Sequence, residues 1–306
     1  MKVMSGLGRV KIKRSCVAIG IFDGVHRGHQ MLLAAMVKEA RRLKAVPVVI
    51  TFFPHPAHVL SSSAKINYLV SLRHRLKLLE TLEIRVCIVI RFTRAFAAVQ
   101  PETFIRSALV GRLGVQAIFV GEDFRFGKDR RGDLALFKRL GETCGYAAYG
   151  IAPLRAGREP ISSTRLRALI ASGKLSAAQR LLGRPFSVMA DVVQGRGRGR
   201  SLGYPTANLR LGPNILPPHG VYAVQVGVKG KIRRGVANLG LRPTFKEKKP
   251  AIHLEVHIFD LNQNLYGQTL EVHFIKKIRN ERVFRNPQDL VRQIGADECR
   301  ARSILQ

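Results

Sequence analysis

The chain has 306 residues and is strongly basic, with 52 lysines and arginines against 20 aspartates and glutamates and a net charge of +32. Hydrophobic residues make up 46% of the chain and charged residues 24%, which is ordinary for a globular protein and excludes disorder of the whole chain. No apolar run approaches the roughly 18–20 uncharged residues that a membrane span requires. The length fits two domains.

The first residues are basic and then apolar, as in a signal peptide. The apolar part is short, however, and Asp23 and His26 follow it without a small-residue cleavage site, so we expect a cytoplasmic protein with no membrane partner. The four cysteines are far apart and form no CxxC pair, which predicts reduced thiols. The positive charge is spread over both halves of the chain, so we expect anionic ligands and no specific nucleic-acid site.

The first 150 residues alternate between apolar runs and amphipathic stretches, which predicts a doubly wound parallel sheet with helices on both faces. The apolar runs are rich in Val, Ile and Phe, as in strands that are buried on both faces. The predicted strands are Cys16–Phe22, Val46–Phe53, Arg85–Ile90, Val115–Val120 and Tyr146–Ile151, and the predicted helices are Gly28–Lys44, Ser71–Leu82, Pro101–Leu113 and Asp133–Thr143. In such a fold, ligands bind beyond the carboxyl ends of the strands.

The pattern changes after a helical pair that begins near Ser162 and a boundary at Gly183–Pro185, so we predict domains at residues 1–183 and 184–306. Short alternating runs punctuated by Gly and Pro then predict a small antiparallel β-barrel or sandwich. The predicted strands are Ser187–Val193, Gly220–Val228, Ile232–Leu239, Ile252–Asp260 and Leu270–Ile275, and a closing helix is predicted at Pro287–Leu305.

The segment GIFDGVHRGH, residues 20–29, follows an apolar strand and runs into a helix. Gly24 and Gly28 let the backbone approach a ligand closely, and a helix N-terminus favours anions. His26 and His29 can donate hydrogen bonds to the charge that develops on a leaving pyrophosphate. A metal site is the weaker alternative, because no cysteine or carboxylate cluster completes a ligand set nearby. The segment resembles the HxGH signature of the nucleotidyltransferase superfamily, which transfers AMP from ATP.

A second segment, ISSTRLR at residues 161–167, adds hydroxyls and a cation at a helix start. Ser163, Thr164 and Arg167 can hold the β- and γ-phosphates of ATP, and arginine does so with planar, multi-donor geometry. A plain capped helix is the alternative for this segment taken alone.

Two further segments, TFFPHP at residues 51–56 and GEDFRFGKDRRGD at residues 121–133, follow predicted strands. Phe124 and Phe126 can stack on a flat ring while Asp123 accepts a hydrogen bond. Anchoring of the loop in the core is an equally good interpretation of the two phenylalanines.

Together these four segments resemble the prokaryotic FAD synthetase module in order and spacing, over residues 15–183. In that family the phosphate of FMN attacks the α-phosphate of ATP, giving FAD and pyrophosphate. One departure is SLRHRLKLL, residues 71–79, which has His and Arg where the family pattern has an acidic residue and a lysine. The resemblance implies ATP contacts at Gly20, Phe22, Asp23, Gly24 and Gly28, and flavin contacts at Pro54, Asp123, Phe124 and Phe126.

In the second half, GRGRGRSLGYPTANL spans residues 195–209. Backbone N–H groups at Gly195 and Gly199 can cup phosphates, and Arg200 adds charge. Thr206 and Asn208 offer hard oxygen ligands that suit Mg²⁺ shared with nucleotide phosphates. The Walker pattern is absent, and an RNA-contacting arginine-rich turn is the alternative for the glycine-arginine tract alone.

The segment LEVHIFDLNQNLYG, residues 254–267, begins with the alternation of a strand. Glu255 and His257 share one face of it. A carboxylate at this position can take a proton from an attacking hydroxyl, and a salt-bridged strand residue is the alternative interpretation of Glu255.

These segments, with IRNERVF at residues 278–284 and DLVRQIGAD at residues 289–297, resemble riboflavin kinase over residues 185–302. The resemblance implies a six-stranded barrel with a helix, Mg-nucleotide binding at Thr206 and Asn208, activation of the riboflavin 5′-hydroxyl by Glu255, and a flavin contact at Glu281. GVANLGLRPTF, residues 235–245, matches a further family segment and is assigned no chemistry.

Nearly the entire chain thus resembles the bifunctional riboflavin kinase/FAD synthetase family, which implies riboflavin, FMN and ATP as substrates and Mg²⁺ as cofactor. Two other functions stay open at this point. One is a basic nucleic-acid-binding protein on the same fold, and the other is an adenylyltransferase for another phosphate ester.

Overall fold

The structure is a computed structural model that describes residues 1–8, 10–61, 66–195, 203–242 and 251–306. The chain forms two compact units. The first comprises Met1–Ile66 and Leu72–Ser163, and the second comprises Asn67–Ser71 and Thr164–Gln306. Among the described residues, no helix has the length and apolar character needed to span a bilayer.

The first unit is built on a six-stranded sheet in the order β1-β4-β3-β2-β5-β6, in which every pair of neighbours is parallel. The strands are β1 (Lys2–Ser5), β2 (Ser15–Ile19), β3 (Val46–Phe53), β4 (Val86–Arg91), β5 (Val115–Gly121) and β6 (Ala147–Ile151). The predicted parallel sheet is confirmed.

Both faces of this sheet are buried, which explains its continuous apolar runs. Successive side chains of β2 point to opposite faces, so that Val17 and Ile19 belong to one core cluster while Cys16 and Ala18 belong to the other. All four side chains are at most 2% exposed. The central strand therefore has no solvent-facing side that could carry chemistry, and polar residues must follow its end.

The helices of the first unit lie between the strands, as predicted. The longest is α1 (Arg27–Arg42), which packs against β2, β3 and β5. The others are α2 (Pro56–Leu60), α3 (Leu72–Glu80), α4 (Arg94–Ala97), α5 (Pro101–Thr103) with its π-helical continuation Phe104–Val110, the 3₁₀ turn Lys128–Arg130 and α6 (Leu134–Cys144). A two-stranded ribbon, β7 (Arg155–Ala156) and β8 (Glu159–Pro160), precedes α7 (Ser163–Ala171).

The second unit contains a closed six-stranded antiparallel barrel in the order β10-β13-β12-β11-β14-β9. Its strands are β9 (Phe186–Val193), β10 (Ala207–Arg210), β11 (Gly220–Val228), β12 (Lys231–Arg242), β13 (Ala251–Ile258) and β14 (Thr269–Arg279). The predicted barrel is confirmed and the sandwich alternative is excluded. Helix α8 (Leu175–Leu182) packs against β9 and β14, and the C-terminal helix Pro287–Ile304 packs against β11, β12 and β14.

Four strands are missing from the sequence-based prediction, namely the two-residue strands β7 and β8 and the four-residue strands β1 and β10. Strand β1 is a mostly exposed edge strand, so its side chains lack the apolar pattern of a buried strand. Strand β10 coincides with the PTAN segment, whose polar residues were assigned to ligand binding. It nevertheless closes the barrel, because it pairs with β13 on one side and β9 on the other.

A partly buried ion pair attaches the C-terminal helix to the barrel. Arg279, the last residue of β14, donates from Nε and Nη2 to the carboxylate of Asp297 at 2.8–3.0 Å, and Asp297 is 4% exposed. Gln293 also donates to Asp297 at 2.8 Å. Removing one partner of such a pair leaves the other charge buried, typically at a cost of about 3–5 kcal/mol.

The boundary between the two compact units falls between Ser163 and Thr164. It precedes helices α7 and α8, whereas the predicted boundary at residue 183 follows them. Helix α8 packs against β9 and β14, and its residues Leu181 and Leu182 are buried, with 4% and 2% of their surface exposed. The domain boundary of a working fragment stays a prediction, and α8 is the element on which it depends.

A fragment of residues 164–306 should unfold cooperatively at a higher urea concentration than a fragment of residues 184–306. The shorter fragment lacks α8, and each fully buried leucine contributes roughly 1.5–3 kcal/mol. Urea unfolding followed by circular dichroism measures both midpoints. Leu181→Ala in the longer fragment should lower its midpoint part of the way. Equal midpoints for the two fragments would show that α8 does not stabilise the barrel.

Candidate functional site

The turn that follows β2 carries the two histidines of the HxGH segment. It connects Ile19 to the start of α1, and it contains two non-glycine residues with positive φ, Phe22 at 52° and Val25 at 41°. Such a backbone is costly for a β-branched residue and is found mainly where a site requires it. The turn is thus a strained segment at the carboxyl end of the central strand, where this class of fold binds ligands.

His26 and His29 form one packed pair within this turn. Their rings stack with centroids 3.6 Å apart, and the edge of Phe22 meets the ring of His29 at 5.2 Å. His26 is the N-cap of α1, and its Nδ1 accepts a hydrogen bond from the backbone N–H of His29 at 3.4 Å. A β-carbon at Gly28 would lie 3.2 Å from His26 Nδ1, so glycine is what leaves room for the pair.

The ring of His29 is held in its neutral form. Desolvation, followed by the charges of His26 and Arg75, places the pKa of His29 well below its ordinary value. Its Nδ1 atom is buried and has no hydrogen-bond partner in the part of the chain that the structure describes. A buried, unsatisfied ring nitrogen at a helix N-terminus is the polar group that an anionic ligand would complete.

The ISSTRLR segment reaches this turn through one residue. Ser163 Oγ donates to the backbone oxygen of Asp23 at 3.0 Å, and Asp23 is itself 1% exposed. Thr164 is exposed and belongs to the second unit, as does Arg167, whose Nε donates to the backbone oxygen of Asn67 at 2.8 Å. Of the three predicted phosphate ligands, Ser163 is joined to the histidine turn by a hydrogen bond.

The predicted flavin residues of the first unit follow strands that neighbour β2. Pro54 follows β3 and Asp123 follows β5, and both strands pair directly with β2, so their carboxyl ends meet at one edge of the sheet. Asp123 is exposed. Phe126 stacks on Phe137 with centroids 4.6 Å apart, and Phe124 stacks on Phe126 at 5.7 Å, which shows that both rings help to anchor their loop.

The second candidate site is a row of polar side chains across three strands of the barrel. Glu255 of β13 pairs in register with Asn208 of β10 on one side and with Asn238 of β12 on the other. Their neighbours Leu254 and Val256 fill the interior and are at most 1% exposed. Residues opposite one another on adjacent strands have β-carbons about 4.5–5.5 Å apart, so the three side chains share one patch of the outer face.

Both ends of this polar row depend on a glycine. A β-carbon at Gly195 would lie 2.2 Å from Asn208 Nδ2, and one at Gly240 would lie 1.8 Å from Glu281 Oε1. Asn238 Nδ2 donates to the same Glu281 oxygen at 3.4 Å. The predicted flavin residue Glu281 therefore lies at one end of the row, and Asn208 lies at the other.

Two cavities are found among the described residues of the second unit. The first is lined by Thr206 with Val256, Ile258 and the loop at residues 261–266. The second is lined by Glu281 together with Arg279, Asp297 and Arg300 of the β14 end and the C-terminal helix. Thr206 of the PTAN segment lines the first cavity, and the predicted flavin residue Glu281 lines the second.

Three residues that had no predicted role, Asn238, Thr51 and Arg75, lie at or beside the candidate sites. Asn238 belongs to GVANLGLRPTF, and only its register opposite Glu255 reveals it. Thr51 and Arg75 are fully buried beside the histidine turn, and the departure in SLRHRLKLL was the signal for the second of them. The predicted phosphate ligands Gly199 and Arg200 lie outside the described residues. The described residues contain no cluster of three or more His, Cys, Asp or Glu side chains that could hold a metal ion.

Comparison with known proteins gives one consistent family. The FAD synthetase family model matches residues 9–165, and the riboflavin kinase family model matches residues 182–305. The bifunctional riboflavin kinase/FMN adenylyltransferase of Escherichia coli strain K12 is 39% identical over 100% of this chain and 98% of its own length. The protein of the same description from Bacillus subtilis strain 168 is 36% identical over 94% of this chain and 92% of its own length.

A solved structure supports the fold. A crystal structure described as a macrolide-efflux protein from Streptococcus pneumoniae superposes with a TM-score of 0.85 and 30% identity, covering 99% of each chain. The two resemblances found in the sequence are confirmed by the two family models and the curated relatives. The chain belongs to the family of bifunctional riboflavin kinase/FMN adenylyltransferases.

Proposed function

We propose that the two activities of this family reside in separate parts of the chain, adenylyl transfer at the histidine turn of the first unit and phosphoryl transfer at the polar row of the barrel. Membership of the family gives the chain riboflavin kinase and FMN adenylyltransferase activities, which make FMN and then FAD. The observation that carries the assignment is that His26 and His29 lie in one unit, whereas Thr206, Asn208 and Glu255 lie in the other.

In the adenylyltransferase reaction, a phosphate oxygen of FMN attacks the α-phosphorus of ATP, and pyrophosphate leaves. Negative charge grows on the oxygen that bridges to the leaving group, so a fixed donor at that position lowers the barrier. His29 is the best candidate, because its Nδ1 is buried without a partner among the described residues and its ring is held by stacking on His26. The backbone around Gly20, Phe22, Asp23, Gly24 and Gly28, with Ser163, is proposed to bind the ATP phosphates. Thr164 and Arg167 stay predictions from the sequence.

In the kinase reaction, Glu255 is proposed to take the proton of the riboflavin 5′-hydroxyl while that oxygen attacks the γ-phosphorus of ATP, and ADP leaves. The cavity beside Thr206 would hold the nucleotide, and the cavity beside Glu281 would hold the flavin. A general base has to reach the proton that it removes, and Glu255 is the carboxylate of the polar row, in register with Asn208 and Asn238.

Mg²⁺ is proposed to join the nucleotide at Thr206 and Asn208. A hydroxyl and an amide oxygen are hard ligands, and Mg²⁺ bound to phosphates commonly takes only one or two protein ligands and keeps several waters. The donor set fits that pattern, because Thr206 lines the first cavity and the register places Asn208 beside the carboxylate of Glu255. The ion would neutralise charge on the transferred phosphoryl group.

The positive charge of the chain is proposed to favour anionic substrates in general and not a specific nucleic acid. Support comes from its spread along the sequence and from the family relationship, which favours an enzyme over a nucleic-acid-binding protein. A cytoplasmic location without a membrane partner also stays a prediction. The direct test of the whole proposal is to incubate the full chain with riboflavin and Mg-ATP and to separate the flavins by chromatography, where both FMN and FAD should form.

His29→Ala should abolish FAD formation from FMN and leave riboflavin phosphorylation close to wild type. Loss of one donor to the developing charge costs on the order of 10²–10³ in rate. Met31→Ala, at an exposed position on the same helix, is the matched control and should retain both activities. Equal loss of both activities in a folded His29→Ala protein would contradict the two-site assignment.

Glu255→Gln should stop riboflavin phosphorylation while supplied FMN is still converted to FAD. The amide keeps the shape of the side chain and removes the base, which typically supplies about 10²–10⁴ in rate. Asp260→Asn changes an exposed carboxylate just beyond the same strand and should retain kinase activity. A Glu255→Gln enzyme with near wild-type kinase rate would make Glu255 a structural residue only.

The lowered pKa of His29 predicts that the fold loses stability in acid. Folded His29 stays neutral while the unfolded residue binds a proton below its ordinary pKa of 6.5, so protons favour the unfolded state. The contribution is complete above pH 6.5 and is lost as the pH falls below it. Urea midpoints at pH 7.5 and 5.5 should therefore differ more for the wild type than for His29→Gln, by at most about 1.4 kcal/mol per pH unit. Met31→Gln should keep the wild-type difference, and an unchanged difference in His29→Gln would refute the neutral-ring assignment.

A further inference from the structure

Arg75 is a fully buried arginine that the proposed chemistry has not used. It lies on α3 and has no exposed surface. Its Nη1 donates to Thr51 Oγ1 at 3.1 Å and to the backbone oxygen of Phe52 at 3.2 Å. Burying a guanidinium in a core is costly unless the group is paired and hydrogen-bonded.

Thr51 links Arg75 to the histidine turn by hydrogen bonds. Its Oγ1 accepts from Arg75 and donates to the backbone oxygen of Ile21 at 2.9 Å. Ile21 is the second residue after β2 and directly precedes Phe22, the first of the residues with positive φ. Two hydrogen bonds in series therefore join α3, through β3, to the segment that ends at His29.

The Thr51 contact is one of three similar contacts along the turn. The backbone oxygens of Ile21, Asp23 and Val25 each accept a hydrogen bond from a side chain, at 2.9, 3.0 and 2.8 Å. The donors are Thr51 of β3, Ser163 of α7 and Gln30 of α1, in that order. Three separate elements thus hold alternate carbonyl groups, and a strained backbone persists only when its surroundings over-determine it in this way.

These three hydrogen bonds also determine the direction in which the carbonyl groups of the turn point. A carbonyl oxygen that accepts from a side chain is directed toward that donor, and a phosphate is repelled by any carbonyl oxygen that faces it. The charge of Arg75 also helps to lower the pKa of His29, after desolvation and the charge of His26. Both effects suit a site for a polyanion.

We propose that Arg75 and Thr51 are positioning residues for adenylyl transfer, in which the buried guanidinium holds the threonine hydroxyl and that hydroxyl holds the Ile21 carbonyl, so that the His26–His29 pair keeps its geometry. This inference rests on the proposed site at the histidine turn. It assigns the departure in SLRHRLKLL a role in the reaction.

The test uses two substitutions of Thr51 in the full chain. Thr51→Val keeps the shape and removes both hydrogen bonds, whereas Thr51→Ser keeps the hydroxyl and removes a methyl group. In Thr51→Val, kcat for FAD formation from FMN should fall about 10–100-fold with little change in KM, because positioning and not binding is lost. Thr51→Ser should restore kcat to near wild type, and both variants should phosphorylate riboflavin normally.

Ile50→Val, at the neighbouring buried position of β3, is the control for a small packing defect and should keep wild-type kcat. Arg75→Lys should be intermediate between wild type and Thr51→Val, because one ammonium keeps the charge but not the planar pair of donors. Urea midpoints verify that each variant is folded.

The possible outcomes separate this inference from the assignment of the site. If His29→Ala is inactive in FAD formation while Thr51→Val and Thr51→Ser have equal kcat values, the site assignment holds and the positioning role of the hydroxyl is overturned. If Ile50→Val loses as much activity as Thr51→Val, packing explains the effect and the inference is also overturned. If His29→Ala still makes FAD, the proposed site itself has failed.

Discussion

Burial of β2 on both faces is the constraint from which the first unit follows. All five of its residues are buried, and both of its neighbours in the sheet run parallel to it. No side chain of the strand can carry chemistry, so function moves to the residues beyond its carboxyl end. There the chain reverses into α1 within a few residues, and the reversal requires the positive φ values of Phe22 and Val25. The site is thus a consequence of ending a fully buried strand abruptly.

In the barrel, the proposed site lies on the middle of strands and not at their ends. Closure of the sheet by pairing of β9 with β10 leaves an interior too small for anything but side chains, which apolar residues such as Leu239, Leu254 and Val256 fill. Polar residues of the same strands must then face outward. Alternation along β10, β12 and β13, combined with their register, brings Asn208, Asn238 and Glu255 into one row.

The basic residues of this chain fall into two groups, those at the surface and those that connect a helix to a sheet. Most of the basic residues that the structure describes are at the surface, where Arg302, for example, forms ion pairs with both Asp260 and Glu298. Arg75, which is fully buried, and Arg279, which pairs with the buried Asp297, are different in kind. Arg279 attaches the C-terminal helix through Asp297, beside the cavity at Glu281, and Arg75 holds Thr51 behind the histidine turn. In both places a guanidinium connects a helix to a sheet next to a proposed site.

Periodicity and local motifs determined most of this protein in advance. Continuous apolar runs predicted the parallel strands, alternating runs predicted the barrel, and the HxGH and PTAN segments located the two candidate sites, because each of these signals is contained in neighbouring residues. Strand β1, strand β10, Asn238 and the role of Thr51 and Arg75 needed the tertiary structure. A four-residue strand has too few side chains to show a period. The place of Asn238 beside Glu255 is visible only from the register of the strands. The role proposed for Arg75 depends on its hydrogen bond to Thr51, a residue 24 positions away. Which distant side chains meet is decided by packing of the whole unit, and no local pattern records it.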